Sequence, residues 1–251
     1  GGQRAAVALP GGGQMTDACC WLWLAYVLGP GAAHCRSLLE VYGSAREVFD
    51  AVGREDLSGP LTPGQCSRLS TDPAVFEPME TRCARMGAQV LTMADPDYPS
   101  RLKDIEDAPP VLFCTGDLSA LNAGHTVGMI GSRRPSAYGV EAAAGIGRQL
   151  AEAGVCLVSG LADGLDSEAH KAAVNAGAPT IGVLGVPIDR TYPASNRELR
   201  RQIERKGCVI SEYPPESEPV GRNGFLQRNR LIAALSSALV VVEAQEKSGT
   251  M

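Results

Sequence analysis

The spacing of apolar residues changes character along this chain. From Asp17 to about Met86, the residues Leu22, Tyr26, Leu38, Leu39, Tyr42, Val48 and Phe49 recur at helix-like intervals. Gly29-Pro30-Gly31, Gly43-Ser44 and Gly59-Pro60 punctuate them, which predicts several short helices joined by tight turns. From Thr126 onward, continuous apolar runs alternate with helical patterns. The runs are Val127–Ile130, Val155–Val158, Thr180–Leu184, Cys208–Ser211 and Leu239–Glu243. The helical patterns are Ala137–Ala153, Ser167–Ala176, Ser195–Lys206 and Gln227–Leu235. Unbroken apolar strands separated by helices predict a parallel sheet covered on both faces. Gln89 to Gly116 reads as a connector with two short apolar pieces, Val90-Leu91 and Val111-Leu112-Phe113, proline turns, and an acidic face at Asp104, Glu106 and Asp107. The expected organisation is a tail at 1–15, a helical domain at 16–87 and an α/β domain at 88–251.

Composition narrows the class. A length of 251 residues gives ample core for one or two domains. The formal charge of −5 argues against a wholly basic nucleic-acid coat but leaves room for a local basic groove. None of the eight cysteines forms a Cys-x-x-Cys pair and no His/Cys cluster has zinc spacing, so reduced, buried thiols are expected. The apolar run from Cys19 to Leu28 is too short to span a bilayer and lacks the flanks of a signal peptide. The expected location is the cytoplasm, with no membrane contact and no metal.

In open α/β sheets ligands bind beyond the carboxyl ends of the strands. The first such end is Gly131-Ser132-Arg133, where a strand, a tight turn and a helix make a general anion site. It has neither the Gly-x-Gly-x-x-Gly spacing nor a Gly-Lys-Ser/Thr, so no cofactor is indicated. Later ends carry Ser159-Gly160-Leu161-Ala162-Asp163-Gly164, Gly185-Val186-Pro187 and Ser211-Glu212-Tyr213. Asp166 is placed to cap the helix that follows, and Asp166 with His170 suggests structural hydrogen bonding. The Gly29-Pro30-Gly31 turn resembles a helix-hairpin-helix, with packing against a neighbouring domain or a partner favoured over phosphate binding.

Taken in order, these motifs resemble the DNA-processing protein A family. They are Gly131-Ser132-Arg133, Ser159-Gly160 through Asp166 to His170, Tyr192-Pro193-Ala194-Ser195-Asn196, Ser211-Glu212-Tyr213, Arg228-Asn229-Arg230 and Lys247-Ser248-Gly249-Thr250. The Asp95-Pro96-Asp97-Tyr98-Pro99 segment fits the same pattern. The resemblance implies an extended Rossmann-like domain preceded by a small all-helical (SAM- or helix-hairpin-helix-like) domain, cut short within the last motif. It implies a homodimer that binds single-stranded DNA and loads the RecA recombinase in natural transformation, with no catalytic activity. Carried onto this chain, the DNA-contact set is Gly131, Ser132, Arg133, Gly160, Asn196, Phe225, Arg228, Asn229 and Arg230. Arg133, Arg228 and Arg230 would clamp phosphates, backed by helix N-termini at Ala137 and Gln227, and Phe225 would meet a base. The opposing reading for each arginine is a salt bridge to a neighbour such as Glu212 or Glu243. The run Arg197, Arg200, Arg201, Arg205, Lys206 and Arg222 is either a solvated face or an extension of that track. Asp163, Val186, Pro187 and Leu226 depart from the family pattern, and the Asp163 carboxylate would oppose phosphate. The alternatives are a phosphoribohydrolase-like enzyme, whose Pro-Gly-Gly occurs only as Pro10-Gly11-Gly12, and a structural interaction module.

Overall fold

Thr16 starts the first helix by accepting a bond from the Cys19 amide at 3.3 Å. In the computed structural model, which describes residues 16–244 apart from 32, 53, 55–56, 58–60 and 219–220, that helix is α1 (Asp17–Leu28). Trp21, Leu22, Trp23 and Leu24 are all buried, so α1 is surrounded by its neighbours rather than amphipathic. Around it lie α2 (Cys35–Tyr42), α3 (Ala45–Ala51), α4 (Pro63–Arg68) and α5 (Pro78–Arg85). A Thr62/Gln65 capping box opens α4. Gln65 Nε2 then donates to Leu28 O at 2.9 Å and Arg68 to Val27 O at 2.7 Å, satisfying two carbonyls at the end of α1.

Among the described residues the sheet has seven strands, in the order β1-β2-β6-β5-β4-β3-β7. In chain order the elements are β1 (Ala88–Thr92), α6 (Ser100–Lys103), β2 (Val111–Gly116), β3 (Thr126–Ile130), α7 (Ala137–Glu152), β4 (Cys156–Ser159), α8 (Leu165–Asn175), β5 (Thr180–Val183), α9 (Arg197–Ile203), β6 (Cys208–Ser211), α10 (Arg222–Leu235) and β7 (Ala238–Val241). Strands β3 to β7 are parallel, as the apolar runs predict. The supposed connector is different: its two apolar pieces are strands β1 and β2, which pair antiparallel and extend the sheet past β6, making it mixed. Proline turns separate two strands here rather than marking a loop.

One face of the sheet packs α10, α6 and the side chains of Tyr98, Leu112, Ile181, Val183 and Ile210. The other face carries α7 and α8 over Met129 and Leu157. Beside them the core of the helical region runs on into the sheet, joining Trp21, Trp23 and Leu28 to Phe113, Leu184 and Val209. All eight cysteines are free and seven of them are buried. Among the described residues no helix is long and apolar enough to cross a membrane. The glycine-rich start, Gly59-Pro60 and Lys247-Ser248-Gly249-Thr250 lie outside the described residues.

Candidate nucleic-acid interface

The sheet adds β4, β5 and β6 on one side of β3 and β7 on the other, so the switch point lies between β3 and β7. The anion position there is already filled. Ser132 N donates to Glu243 O at 2.7 Å. The Glu243 carboxylate accepts from Ser136 N at 3.1 and 3.2 Å and from Ser136 Oγ at 2.6 Å, while Ser136 Oγ accepts from Gly139 N at the first turn of α7. A carboxylate of the chain thus takes the place expected for a phosphate, and the helix terminus near Ala137 is not open to one. Gly131 is buried against Leu165. Ser132 is buried too, its Oγ accepting from Arg134 N at 3.1 Å and its carbonyl from Leu165 N at 3.1 Å.

The second turn is held from beneath. Helix α8 begins after Gly164, whose φ of 77° only glycine adopts easily, so Asp166 lies in its first turn and is not the cap the sequence suggested. Its buried carboxylate accepts from Gly160 N at 3.1 Å, and backbone bonds from Ala162 and Gly131 also reach it. Burial pushes the Asp166 carboxyl above its ordinary range, and nearby Arg228 pulls it back. His170 Nδ1 is 2.8 Å from Thr180 Oγ1, whose hydroxyl donates to Leu157 O at 2.7 Å. Nδ1 therefore carries the proton. Burial first, then the Arg228 charge, lowers the His170 pKa to about 3. Buried Asn196 donates to Leu161 O at 3.0 Å and to Ser167 Oγ at 2.9 Å, fixing the same turn. Among the described residues no group of His, Cys, Asp and Glu is placed to hold a metal.

The arginine pair sits elsewhere than the sequence implied. Helix α10 starts at Arg222, not at Gln227, so Arg228 and Arg230 are more than a turn inside it and away from its free N–H groups. Arg228 is buried, donates to Val183 O, and covers Gly160 so closely that a Cβ there would collide with the guanidinium. Arg230 grips Glu212 with Nη1 at 2.7 Å and Nη2 at 2.6 Å, and its Nε lies 2.8 Å from Asp107. Both groups are engaged within the protein, so the clamp role fails for them on geometry. The salt bridge to Glu212 is the one named as the opposing reading. Glu212 also accepts from the backbone of Gly31, and Gly31 lies against Gln227. The hairpin turn thus docks on the Ser211-Glu212-Tyr213 motif. Asn229 is half-buried on α10.

Arg133 is the member of the expected clamp set left facing solvent. Its guanidinium lies over the Phe225 ring, 5.5 Å from the centroid. Phe225 is half-buried and packs on the core that joins the helices to the sheet. Its ring centroid is 5.2 Å from that of Tyr192, which is 54% exposed. Tyr192 and Glu243 are the two residues whose roles the sequence reading missed. Tyr192 stood in the Tyr-Pro-x-x-Asn motif, and Glu243, at the end of the last apolar run, was named only as a possible partner of an arginine. Asp163 is exposed, with its Oδ1 3.2 Å from Ser195 Oγ. On α9, Arg200 is buried and donates to Ile188 O and Arg190 O and Arg201 pairs with Glu198, while Lys206, in the turn after α9, donates to Gly177 O. Arg197, Arg205 and Arg222 remain exposed.

The model of the DNA recombination-mediator protein A family matches residues 89–251. Protein Smf of Synechocystis sp. is 42% identical over 166 residues, 65% of this chain and 42% of that protein. The crystal structure of DNA processing protein A from Streptococcus pneumoniae superposes with a TM-score of 0.69 at 29% identity, covering 94% of this chain and 76% of that one. DNA processing protein A from Helicobacter pylori, whose structure was described for its single-stranded DNA binding mode, gives a TM-score of 0.59 at 33% identity over 64% of this chain and 73% of that one. The chain spans between 42% and 61% of the length of the first curated relatives it matches.

Proposed function

The chain belongs to the DNA recombination-mediator protein A family, and on that premise we propose that it binds single-stranded DNA of any sequence and hands it to the RecA recombinase during DNA uptake. The observation that carries this reading is the exposed Arg133 guanidinium on the Phe225–Tyr192 pair, beyond the strand ends where this fold binds ligands. A cation beside an exposed ring is what sequence-tolerant strand binding needs: one phosphate contact and one stacking face. The DNA contacts thus reduce to Arg133 and the aromatic pair. Gly131, Ser132, Gly160, Asn196 and Arg228 build the support beneath them, and Arg230 ties the sheet to its neighbours. A homodimer acting in the cytoplasm, without catalysis, completes the reading. The phosphoribohydrolase alternative has one observation against it: Glu243 occupies the anion position at the switch point.

The test is retardation of a labelled oligo-dT strand and of a duplex of equal length. The strand is expected to bind more tightly, with affinity falling as salt rises. RecA is then expected to assemble faster on a strand precoated with single-strand-binding protein when this chain is present. Equal affinity for strand and duplex would contradict the reading, and release of base from a nucleoside monophosphate would favour the enzyme instead.

A further inference from the structure

A closed circuit of contacts joins six residues at the carboxyl edge of the sheet. Arg133 lies over Phe225 at 5.5 Å, and Phe225 meets Tyr192 at 5.2 Å with the rings tilted by 42°. From Tyr192 one short turn of chain leads to Ser195, where Ala194–Asn196 form a 3-10 turn. Ser195 Oγ is 3.2 Å from Asp163 Oδ1. Gly164 then closes the circuit, since a Cβ on it would lie 2.9 Å from Arg133 Cα. The turn inside this circuit is fixed: Asn196 holds Leu161 O at 3.0 Å, Ser167 Oγ donates to Ala162 O at 2.6 Å, and Leu161 is kept at a φ of 53°. A buried leucine in the left-handed region is a strained backbone that its surroundings must hold in place.

We propose that this circuit holds one nucleobase, stacked on Tyr192 with its Watson–Crick edge toward Asp163, and that the carboxylate makes the position favour guanine over thymine. The inference rests on the single-strand reading above. Phe225 has Arg133 on it, Tyr192 against it and the core behind it, whereas Tyr192 is 54% exposed and presents an open face. A carboxylate only accepts hydrogen bonds, and the bond from Ser195 orients it without using all its lone pairs. Guanine offers it two donors side by side, N1–H and N2–H. Thymine offers one donor between two carbonyl oxygens that repel a carboxylate. Arg133, across the circuit, keeps the place for the adjoining phosphate. The site thus tolerates any base through stacking and grades them through Asp163.

The experiment compares oligo-dT with a strand of the same length carrying isolated guanines, by fluorescence titration with the whole chain. The guanine strand is expected to bind about fivefold more tightly, in line with a single partly solvated base contact. Inosine, which lacks the N2 amino group, should lose part of that gain. Asp163→Ala should abolish the preference and tighten oligo-dT. Tyr192→Ala should weaken both strands, and Tyr192→Phe should restore them. Equal affinity for the two strands, or a preference that survives Asp163→Ala, overturns the assignment of the base and leaves the single-strand reading standing. Failure of both strands to bind overturns the two together.

Discussion

The Glu243 carboxylate sits on the first turn of α7, 3.1 Å from the Ser136 nitrogen and 2.6 Å from its hydroxyl. Glu243 follows the last described strand and Ser136 precedes the first helix of the parallel sheet, so one contact closes the position where nucleotide-binding relatives of this fold receive a phosphate. That accounts for a turn shaped for anions without a cofactor fingerprint, and in the proposed reading the strand lies along the edge at Arg133 and Tyr192.

If Glu243 stands in for a phosphate, its removal should leave an anion site behind. Glu243→Ala is expected to lower stability by about 1 kcal/mol, the cost of a lost helix cap. Sulfate should then raise the melting temperature of the variant more than that of the parent. Identical responses to sulfate would show that the terminus is not an anion site.

Arg230 and Glu212 form a largely buried pair that also engages Asp107 and the backbone of Gly31. Breaking it from one side strands a charge. Arg230→Met is expected to cost about 3–5 kcal/mol in chemical denaturation, and the double variant with Glu212→Gln about half that or less. Additive losses would mean that the two side chains do not depend on each other.

His170 supplies a pH signature. Its folded pKa of about 3 lies below the ordinary imidazole value of 6.5, so the unfolded chain takes up a proton that the native state refuses. Its contribution is therefore complete above about pH 6.5 and is lost as pH falls toward 3. The loss is at most about 1.4 kcal/mol per pH unit. The stability deficit of His170→Gln should accordingly shrink through that window. Asp166 and Glu212, whose pKa values are raised, act in the opposite direction in parent and variant alike, so the difference between the two isolates His170. A deficit constant from pH 7 to pH 4 would contradict the buried neutral imidazole.

Gly164 at φ 77° has Ser132 O and the Arg133 backbone where a side chain would go. Gly164→Ala is expected to destabilise the fold by about 1–3 kcal/mol and to weaken strand binding, because Arg133 is carried on the backbone it displaces. A variant that keeps parental stability would show that the two turns can part without loss.

Much of the sheet was legible because β4 to β6 are short, largely apolar runs buried along their whole length, whereas β7 is an edge strand whose Leu239 and Val241 stay exposed. Strands β1 and β2 were not, since Val90-Leu91 is too brief to show a period and prolines flank β2. Helix α10 begins at Arg222, five residues ahead of the position its apolar pattern suggested, because it opens on two exposed polar residues, Arg222 and Asn223, and a glycine. The motifs gather at one edge of the sheet, yet do not say which side chains face outward. Arg133, Arg228 and Arg230 look alike in a sequence; only packing separates the one over Phe225 from the one under Gly160 and the one gripping Glu212. Glu243 on Ser136 and Glu212 on Gly31 join residues far apart in the chain, which no local pattern encodes.

The central claim is that a DNA strand meets the exposed Arg133 rim while Arg228 stays in the interior. The most direct measurement is the salt dependence of oligo-dT binding by the parent chain and by Arg133→Ala. Loss of a single phosphate contact should weaken binding at low salt and make the slope of log K against log salt shallower by about 0.7. A slope and affinity equal to those of the parent would contradict the account, for the strand would then lie elsewhere on the protein.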